Sequence, residues 1–450
     1  TAFYAVRLEP AVNAGATQKL ELGLVYSHIL EPFPAQISQT ESQLVVYEGS
    51  ALFYTPYAVT GDQRTVVQIG SGSLESHTKD ASVAPTSQDG SVITYGSYNG
   101  PQAAFADRPI RVHYENNGPF LTVTSLERTI EVSHWGNIAV EETLDMVHTG
   151  ARLKGAFSRY DFQRDHRPVS PVVKSFKTVL PAAASDVYYR DEIGNISTSH
   201  LRVHEDAVEL DVRPRFPLFG GWKTHYTIGY NVPSYEYLFR GAGALPLGSA
   251  PYVLQMRLID HIYDHFVVDN LRLRIILPER AKDIKLLTPY PVKELPREIH
   301  YTYLDYSGRP VVIADVQNLV QAHIQTFQLS YSFDSNQLIF EPMMLVIAFY
   351  LLFLAVIVYV RFDFAIAKDA VSESRLKLAG MLEEVRGHQD DRTSGYEALA
   401  EAIDRCKTGK DLNALSASKK KIETEHKKRT QQVQDRARNL LELMESPSPS

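Results

Sequence analysis

Cysteine is nearly absent from this 450-residue chain: its one thiol, Cys406, lies close to the C-terminal end. The first 342 residues contain none, so no disulfide framework holds them and their fold must rest on apolar burial. A strong charge of either sign is also missing. The net charge of −7 argues against wholesale nucleic-acid binding. It is unevenly placed, with 29 basic and 37 acidic residues up to Pro342 but 17 and 16 from Arg361 onward. Catalytic signatures are scarce. There is no Walker A loop and no G-x-S-x-G elbow. "GAGALP" (241–246) offers two dinucleotide-type glycines, but Pro246 stands where a third would be. The opening "TAFYAVRLEP" lacks the basic start and apolar stretch of a secretory signal. The expectation is that a signal has been removed or that the chain begins partway into a longer precursor.

Long apolar runs are absent with one exception, "MMLVIAFYLLFLAVIVYV" at 343–360. Eighteen such residues rise about 27 Å as a helix, close to the hydrocarbon thickness of a bilayer. Glu341 and Arg361 are the nearest flanking charges, and Pro342 suits a first helical turn. The twenty residues before the run carry no Lys or Arg, whereas the twenty after it carry Arg361, Lys368, Arg375 and Lys377. The positive-inside rule then predicts a single-pass protein with a large exoplasmic or lumenal head and a cytosolic tail. Asn195-Ile196-Ser197 is a glycosylation acceptor in that head.

Strand patterns dominate the head. "FQLSYSF" (327–333) alternates strictly, as do "LRLRI" (271–275) and "VELDV" (208–212). "QKLELGLVY", "QLVVYE", "IRVHYE", "TIEVS", "KTHYTIGYNV", "YVLQMRL", "HYTYLD" and "PVVIADV" read the same way, separated by turn residues. The expected fold is mainly β: two tandem antiparallel sandwich-like domains at 1–117 and 118–337, with a boundary at the polar turn "ENNGPF". A loose internal repeat suggests that the first domain lacks its opening strands. Segments 71–91 and 240–251 read as loops.

A membrane helix at 338–361 and a helical tail at 362–450 complete the expectation. In the tail, Leu376, Leu378, Met381, Leu382 and Val385 can line one helix and "YEALAEAIDRC" a second. A long third follows, with Asp411 as N-cap. Lys419, Lys420, Lys421, Lys427, Lys428 and Arg429 form basic clusters. They suit anionic lipid or ribosomal RNA, or simply a solvated face balanced by Glu423 and Glu425.

Candidates for chemistry are thin. His261 and His265 are four apart beside Asp260 and Asp264, but no third nitrogen or sulfur ligand is placed, so a structural role is expected. Glu141 and Glu142 are adjacent, which a strand sends to opposite faces. His134–Trp135 reads as an anchor of sheet packing. "FPLFGGWKTHY" (216–226) reads as a turn through Gly220–Gly221 rather than an aromatic ligand platform.

Longer strings carry a resemblance. "HYENNGPFLTVTSLERTIEVSHWGNIAVEE", "FSRYDFQR", "SFKTVLPAAASDVYYRDEIGNIS", "RPRFPLFGGWKTHYTIGYNVPSYEYL" and "HYTYLDYSGRPVV", with the apolar span followed by "VRFDF", resemble the ribophorin I family. Its members are large single-pass subunits of the oligosaccharyltransferase complex of the endoplasmic reticulum. The resemblance runs from about residue 3 to about residue 430 and is weakest at 71–105 and beyond 385. It implies a non-catalytic scaffold with no catalytic residue, metal ligand or cofactor of its own. It also implies a multi-pass catalytic partner, other complex subunits, membrane lipid, and contacts with ribosome, translocon and nascent polypeptide. Asn195 falls at a family sequon position. The rival readings are a lumenal metal-dependent hydrolase built on His261 and His265, and a cell-surface adhesion-type protein. Many adhesion ectodomains carry disulfides, which this head cannot form.

Overall fold

The computed structural model describes residues 7, 9, 11–70, 73–165, 167, 169–241, 248–302, 304–361, 370–409 and 412–445. They fall into two compact units, residues 1–346 and 347–450.

The first unit is built of β-sheets. Its largest sheet follows the order Ser185–Asp191, Lys223–Pro233, Asn137–His148, Leu121–Val132, Val267–Ile276, Arg309–Val320, with Lys293–Glu294 and Glu298–His300 both pairing the last. Alternation explains the layering. Leu126, Ile130 and Val132 on one strand, Ile138, Val140 and Leu144 on the next, and Tyr226, Ile228 and Tyr230 on a third point to one side and are buried. The facing layer comprises a four-stranded sheet, Leu238–Arg240, Ser249–Arg257, Thr326–Asp334 and Lys282–Leu287, and a three-stranded one, Phe176–Pro181, Ala207–Val212 and His200–Val203. Phe327, Leu329, Tyr331 and Phe333 are the inward residues of "FQLSYSF", as its alternation requires. All these side chains join one apolar cluster. Among the described strands, pairing is antiparallel except where Leu121–Val132 meets Val267–Ile276 and where Gln36–Ile37 meets Arg152–Leu153; Arg152 is also bridged in parallel to Gly220.

A separate cluster gathers Val45, Leu52, Val83, Ile93, Tyr95, Ile110 and Val112. It lies among the sheets Leu30–Pro32, Leu44–Ser50, Pro109–Glu115, Leu74–His77 and Gln63–Gln68, Val92–Tyr98, Thr86–Asp89. Polar clasps tie this part to the rest of the unit. Buried Gln43 donates to the Asn116 carbonyl and accepts from the Ala151 N–H at 2.8 Å. The Arg167 guanidinium donates to the carbonyls of Gln39 and Thr40, each at 3.1 Å.

Several expectations are corrected. "QKLELGLVY" has the alternation of a strand but lies in irregular backbone, with Leu20, Leu22, Leu24 and Tyr26 exposed. Alternation makes a strand possible, but only a neighbour's N–H and C=O groups complete one. Among the described residues of "HYTYLD", only His300 belongs to a strand. Conversely, the expected loop 71–91 holds the strands Leu74–His77 and Thr86–Asp89. Residues 242–247 of the second expected loop, including most of "GAGALP", lie outside the described residues.

The apolar helix spans Gln337–Arg361, with Pro342 in it and no side chain buried. Among the described residues after the apolar helix, two helices, Ala370–Gly409 and Leu412–Glu445, replace the three expected. The residues between Val385 and Tyr396, which neither of the first two expected helices includes, are helical as well. Within this stretch the Thr393 hydroxyl donates to the Gln389 carbonyl and Ser394 to that of Asp391, so these polar side chains find partners inside the helix. The two helices pack antiparallel: Arg429 pairs with Asp391 at 2.7 Å, Arg436 with Glu384 at 3.2 Å, and His426 meets the Tyr396 ring edge-on at 4.8 Å. Half-buried positions recur on the first helix at Leu378, Met381, Val385, His388, Arg392, Gly395, Leu399, Ala402 and Cys406, a strict three-and-four spacing that makes a coiled-coil seam. Asp411 and Lys368 lie outside the described residues.

Candidate functional site

Among the described residues of the first unit, Arg128, Glu142 and Asp260 form a fully buried charge constellation. In the register of the main sheet Arg128 stands opposite Glu142, both on the inner face. The Arg128 guanidinium donates to Glu142, to Asp260 Oδ2 at 2.8 Å and to the Tyr230 hydroxyl at 3.3 Å, while Tyr230 donates to the same Asp260 oxygen at 2.5 Å. Paired carboxylates hold the guanidinium charged, and burial pushes the Glu142 carboxyl up. Such a cluster specifies register, because any slip would leave a charge in the core without a partner. Glu141 does take the other face, accepting from the Tyr188 hydroxyl at 2.5 Å and pairing with Arg190 at 3.1 Å. The sequence signal for Arg128 and Glu142 was their place in the apolar phase of two alternating strands. Nothing local announced Asp260 as their partner.

This disposes of the histidine pair as a geometric unit. Asp260 turns inward to Arg128, while His261 Nε2 bonds Asp264 at 3.0 Å. His265 is exposed on a left-handed backbone, φ 56°. Among the described residues the carboxylates that converge are instead Glu279, Asp305 and Glu341, within 4.8 Å of one another, with Arg309 set against Asp305 at 3.2 Å and Glu341 at 3.9 Å. Glu341, read from sequence only as a charge flanking the apolar run, thus belongs to an ionic group at the start of that helix. Arg361 is exposed at its other end.

His134 and Trp135 part company. His134 stacks on Phe333 at 4.1 Å, meets Tyr252 edge-on at 4.5 Å and bonds the Tyr331 hydroxyl at 2.9 Å. Burial pulls its pKa down to about 4. Trp135, at the tip of the hairpin, is exposed and anchors nothing in the core. "FPLFGGW" is a turn: the Trp222 N–H donates to the Phe219 carbonyl and Gly221 has φ 83°. It also seats an aromatic group in which Phe219 meets Trp222 at 5.2 Å and Phe157 at 5.6 Å.

Asn195 is exposed immediately after a tight turn. The Asp191 carboxylate accepts from the N–H groups of Ile193 and Gly194, and Arg215 grips it at 2.6 and 2.7 Å. The Arg215 bonds, with help from those N–H groups, pull the Asp191 carboxyl down to about 2. The Ile196 N–H bonds the Tyr189 carbonyl at 3.0 Å, so the acceptor asparagine is presented from a fixed backbone. In the tail, Lys419, Lys420, Lys421, Lys427 and Lys428 are exposed on one helix, whereas Arg429 is half-buried against Asp391.

Comparison with known proteins gives the frame for these surfaces. The family model described as Ribophorin I matches residues 1–360. A Caenorhabditis elegans protein named dolichyl-diphosphooligosaccharide–protein glycosyltransferase subunit 1 is 44% identical over 425 residues, covering 93% of this chain and 70% of that protein. The Arabidopsis thaliana subunit 1A is 37% identical over 431 residues, covering 94% of this chain and 67% of that protein. A solved M1 zinc metallopeptidase from Deinococcus radiodurans overlaps 47% of this chain and 42% of its own, at 9% identity and a TM-score of 0.27, a likeness too slight to assign fold or activity. From its β head through the apolar helix, the chain belongs to the ribophorin I family.

Proposed function

We propose that this chain is a non-catalytic scaffold subunit of an oligosaccharyltransferase complex in the endoplasmic reticulum membrane, serving co-translational transfer of glycan to Asn-x-Ser/Thr of nascent chains. The observation that carries the reading is similarity over more than nine-tenths of the chain to proteins named as subunit 1 of that glycosyltransferase. The layout suits the role. Large sheet faces offer surface for a multi-pass catalytic partner and other subunits, and one helix of 25 residues, about 37 Å long, is enough to cross a bilayer. On this reading residues 1–117 and 118–337 are two lumenal β domains, 338–361 the membrane helix and 362–450 the cytosolic tail. Asn195 is glycosylated, and the exposed lysines at 419–421 and 427–428 contact ribosomal RNA or the translocon surface.

Purification of the full chain in mild detergent tests the assignment. A multi-pass transferase subunit should come with it, and the chain alone should transfer no glycan; transfer by the isolated chain would overturn the scaffold role. Protease protection in sealed microsomes tests orientation, since trypsin should remove the tail and spare the head. Asn195→Gln should remove one glycan's mass from the band, and an unshifted band would show the sequon to be empty.

A further inference from the structure

Glu341 is the last charge before the apolar run, so its height marks where the head meets the bilayer if Gln337–Arg361 spans it. Two loops of the first unit sit at that height. The 301–308 loop is held there because Asp305 lies in the carboxylate group of Glu341, and because the N–H groups of Tyr306 and Ser307 both donate to Glu279. The hairpin tip carrying Trp135 lines a cleft of about 60 Å³ together with Leu338, Glu341 and Arg309. The Ser234 N–H donates to the Gly136 carbonyl, which places Tyr235 beside that tip.

We infer that these loops form a membrane-interface surface of the head: Trp135, Tyr235, Tyr301, Leu304 and Tyr306 seat in the headgroup layer of a zwitterionic bilayer. The inference rests on reading Gln337–Arg361 as membrane-spanning. All five side chains are exposed, Trp135 at 68% and Tyr306 at 78% of their full area. Aromatic side chains with one polar atom are the residues that the water–lipid boundary favours. The Trp135 tip and Tyr301 are also braced. His134 ties the tip to Phe333 and Tyr331, and the Tyr301 ring packs against the backbone of Gly308. Charge selects the lipid. Glu279, Asp305, Glu341 and Glu131 outnumber Arg309 and Arg280 around the helix start, so an anionic leaflet is repelled.

The test places the full chain in phosphatidylcholine vesicles brominated high on the acyl chains. Trp222→Phe leaves Trp135 as the only indole, and the difference between wild type and Trp135→Phe gives the same reading with Trp222 untouched. Trp135 emission should fall by roughly half relative to unbrominated vesicles, as for an interfacial indole. Adding phosphatidylserine should make that loss smaller. A vesicle-bound chain whose Trp135 is unquenched by bromolipid and open to iodide overturns the surface while leaving the helix intact. A chain that fails to float with vesicles overturns both. Quenching that is unchanged or grows with phosphatidylserine overturns the zwitterionic assignment.

Discussion

The β head and the helical tail solve the same problem with different means. In the head, inner-face residues such as Leu126, Ile130, Leu273 and Phe327 are wholly withdrawn from water. Even its internal charges are enclosed, with Arg128, Glu142 and Asp260 all buried. In the tail no described side chain is buried, and the seam between the helices runs through His388, Arg392 and Gly395 before returning to Leu399. Apolar area removed from water is the main source of stability, so the head is expected to be self-sufficient and the tail to be marginal. Packing in one and surface ion pairs in the other also predict opposite responses to mutation, pH and salt.

The sharpest break comes at Arg128. Arg128→Met leaves Glu142 and Asp260 without their cation in the core, a loss of about 3–5 kcal/mol for a broken buried pair. Urea unfolding of the full chain should show the head's transition moving by that amount while the tail's helical signal is unchanged. The loss should shrink as pH falls, because burial already favours protonated Glu142. A head transition that stays within 1 kcal/mol of wild type would mean that the cluster contributes shape and no stability.

His134 gives the next largest effect. Its native pKa of about 4 lies below the unfolded 6.5, so the unfolded chain binds the proton first. Stability from this site is complete above pH 6.5 and falls as pH drops toward 4, by about 3 kcal/mol in all. His134→Gln cannot titrate and should flatten that part of the head's stability curve between pH 7 and 4.5. An equally steep curve in the variant would place the dependence elsewhere, with His148, also lowered by burial, as the next group to replace.

The tail should respond on a smaller scale. Arg429→Ala removes the ion pair with Asp391 between partly exposed side chains, worth about 0.2–1 kcal/mol. The helical signal of the tail should weaken at low salt, and 1 M salt should erase the difference between variant and wild type. Loss of head stability in the same variant would contradict the division drawn here.

What the sequence made legible follows the same line. Where alternation coincided with a partner strand, as in "FQLSYSF" and "VELDV", both the element and its inner face could be read directly. "QKLELGLVY" carries the same alternation, yet among the described residues no strand pairs with it. Period records which residues share a side and is silent about who sits opposite. The acceptor triplet at Asn195 and the charge of the lysines can be read from sequence because they are local properties, and the structure adds that these side chains are exposed. Asp260's role cannot, since it depends on Arg128, 132 positions away. The single long helix Ala370–Gly409 in place of two was hidden because its half-buried stripe passes through His388, Arg392 and Gly395, which carry no apolar period.

The smallest structural effect belongs to the lysines, which makes them the cleanest probe of the tail's partner. Sequence grouped Arg429 with Lys427 and Lys428, but Arg429 is spent on Asp391, so replacing all three would confuse a loosened helix pair with a lost contact. Replacing Lys419, Lys420, Lys421, Lys427 and Lys428 by Ala while keeping Arg429 should leave the helical signal and subunit co-purification as they are. Exposed lysines contribute little to stability, and alanine favours a helix. Ribosome co-sedimentation should nevertheless weaken, and most clearly at low salt, because each lost phosphate contact removes one step of counterion release. The slope of binding against salt is the decisive quantity. A weaker association with an unchanged slope would point to a protein contact, and an unchanged association at every salt concentration would leave these lysines as a solvated face.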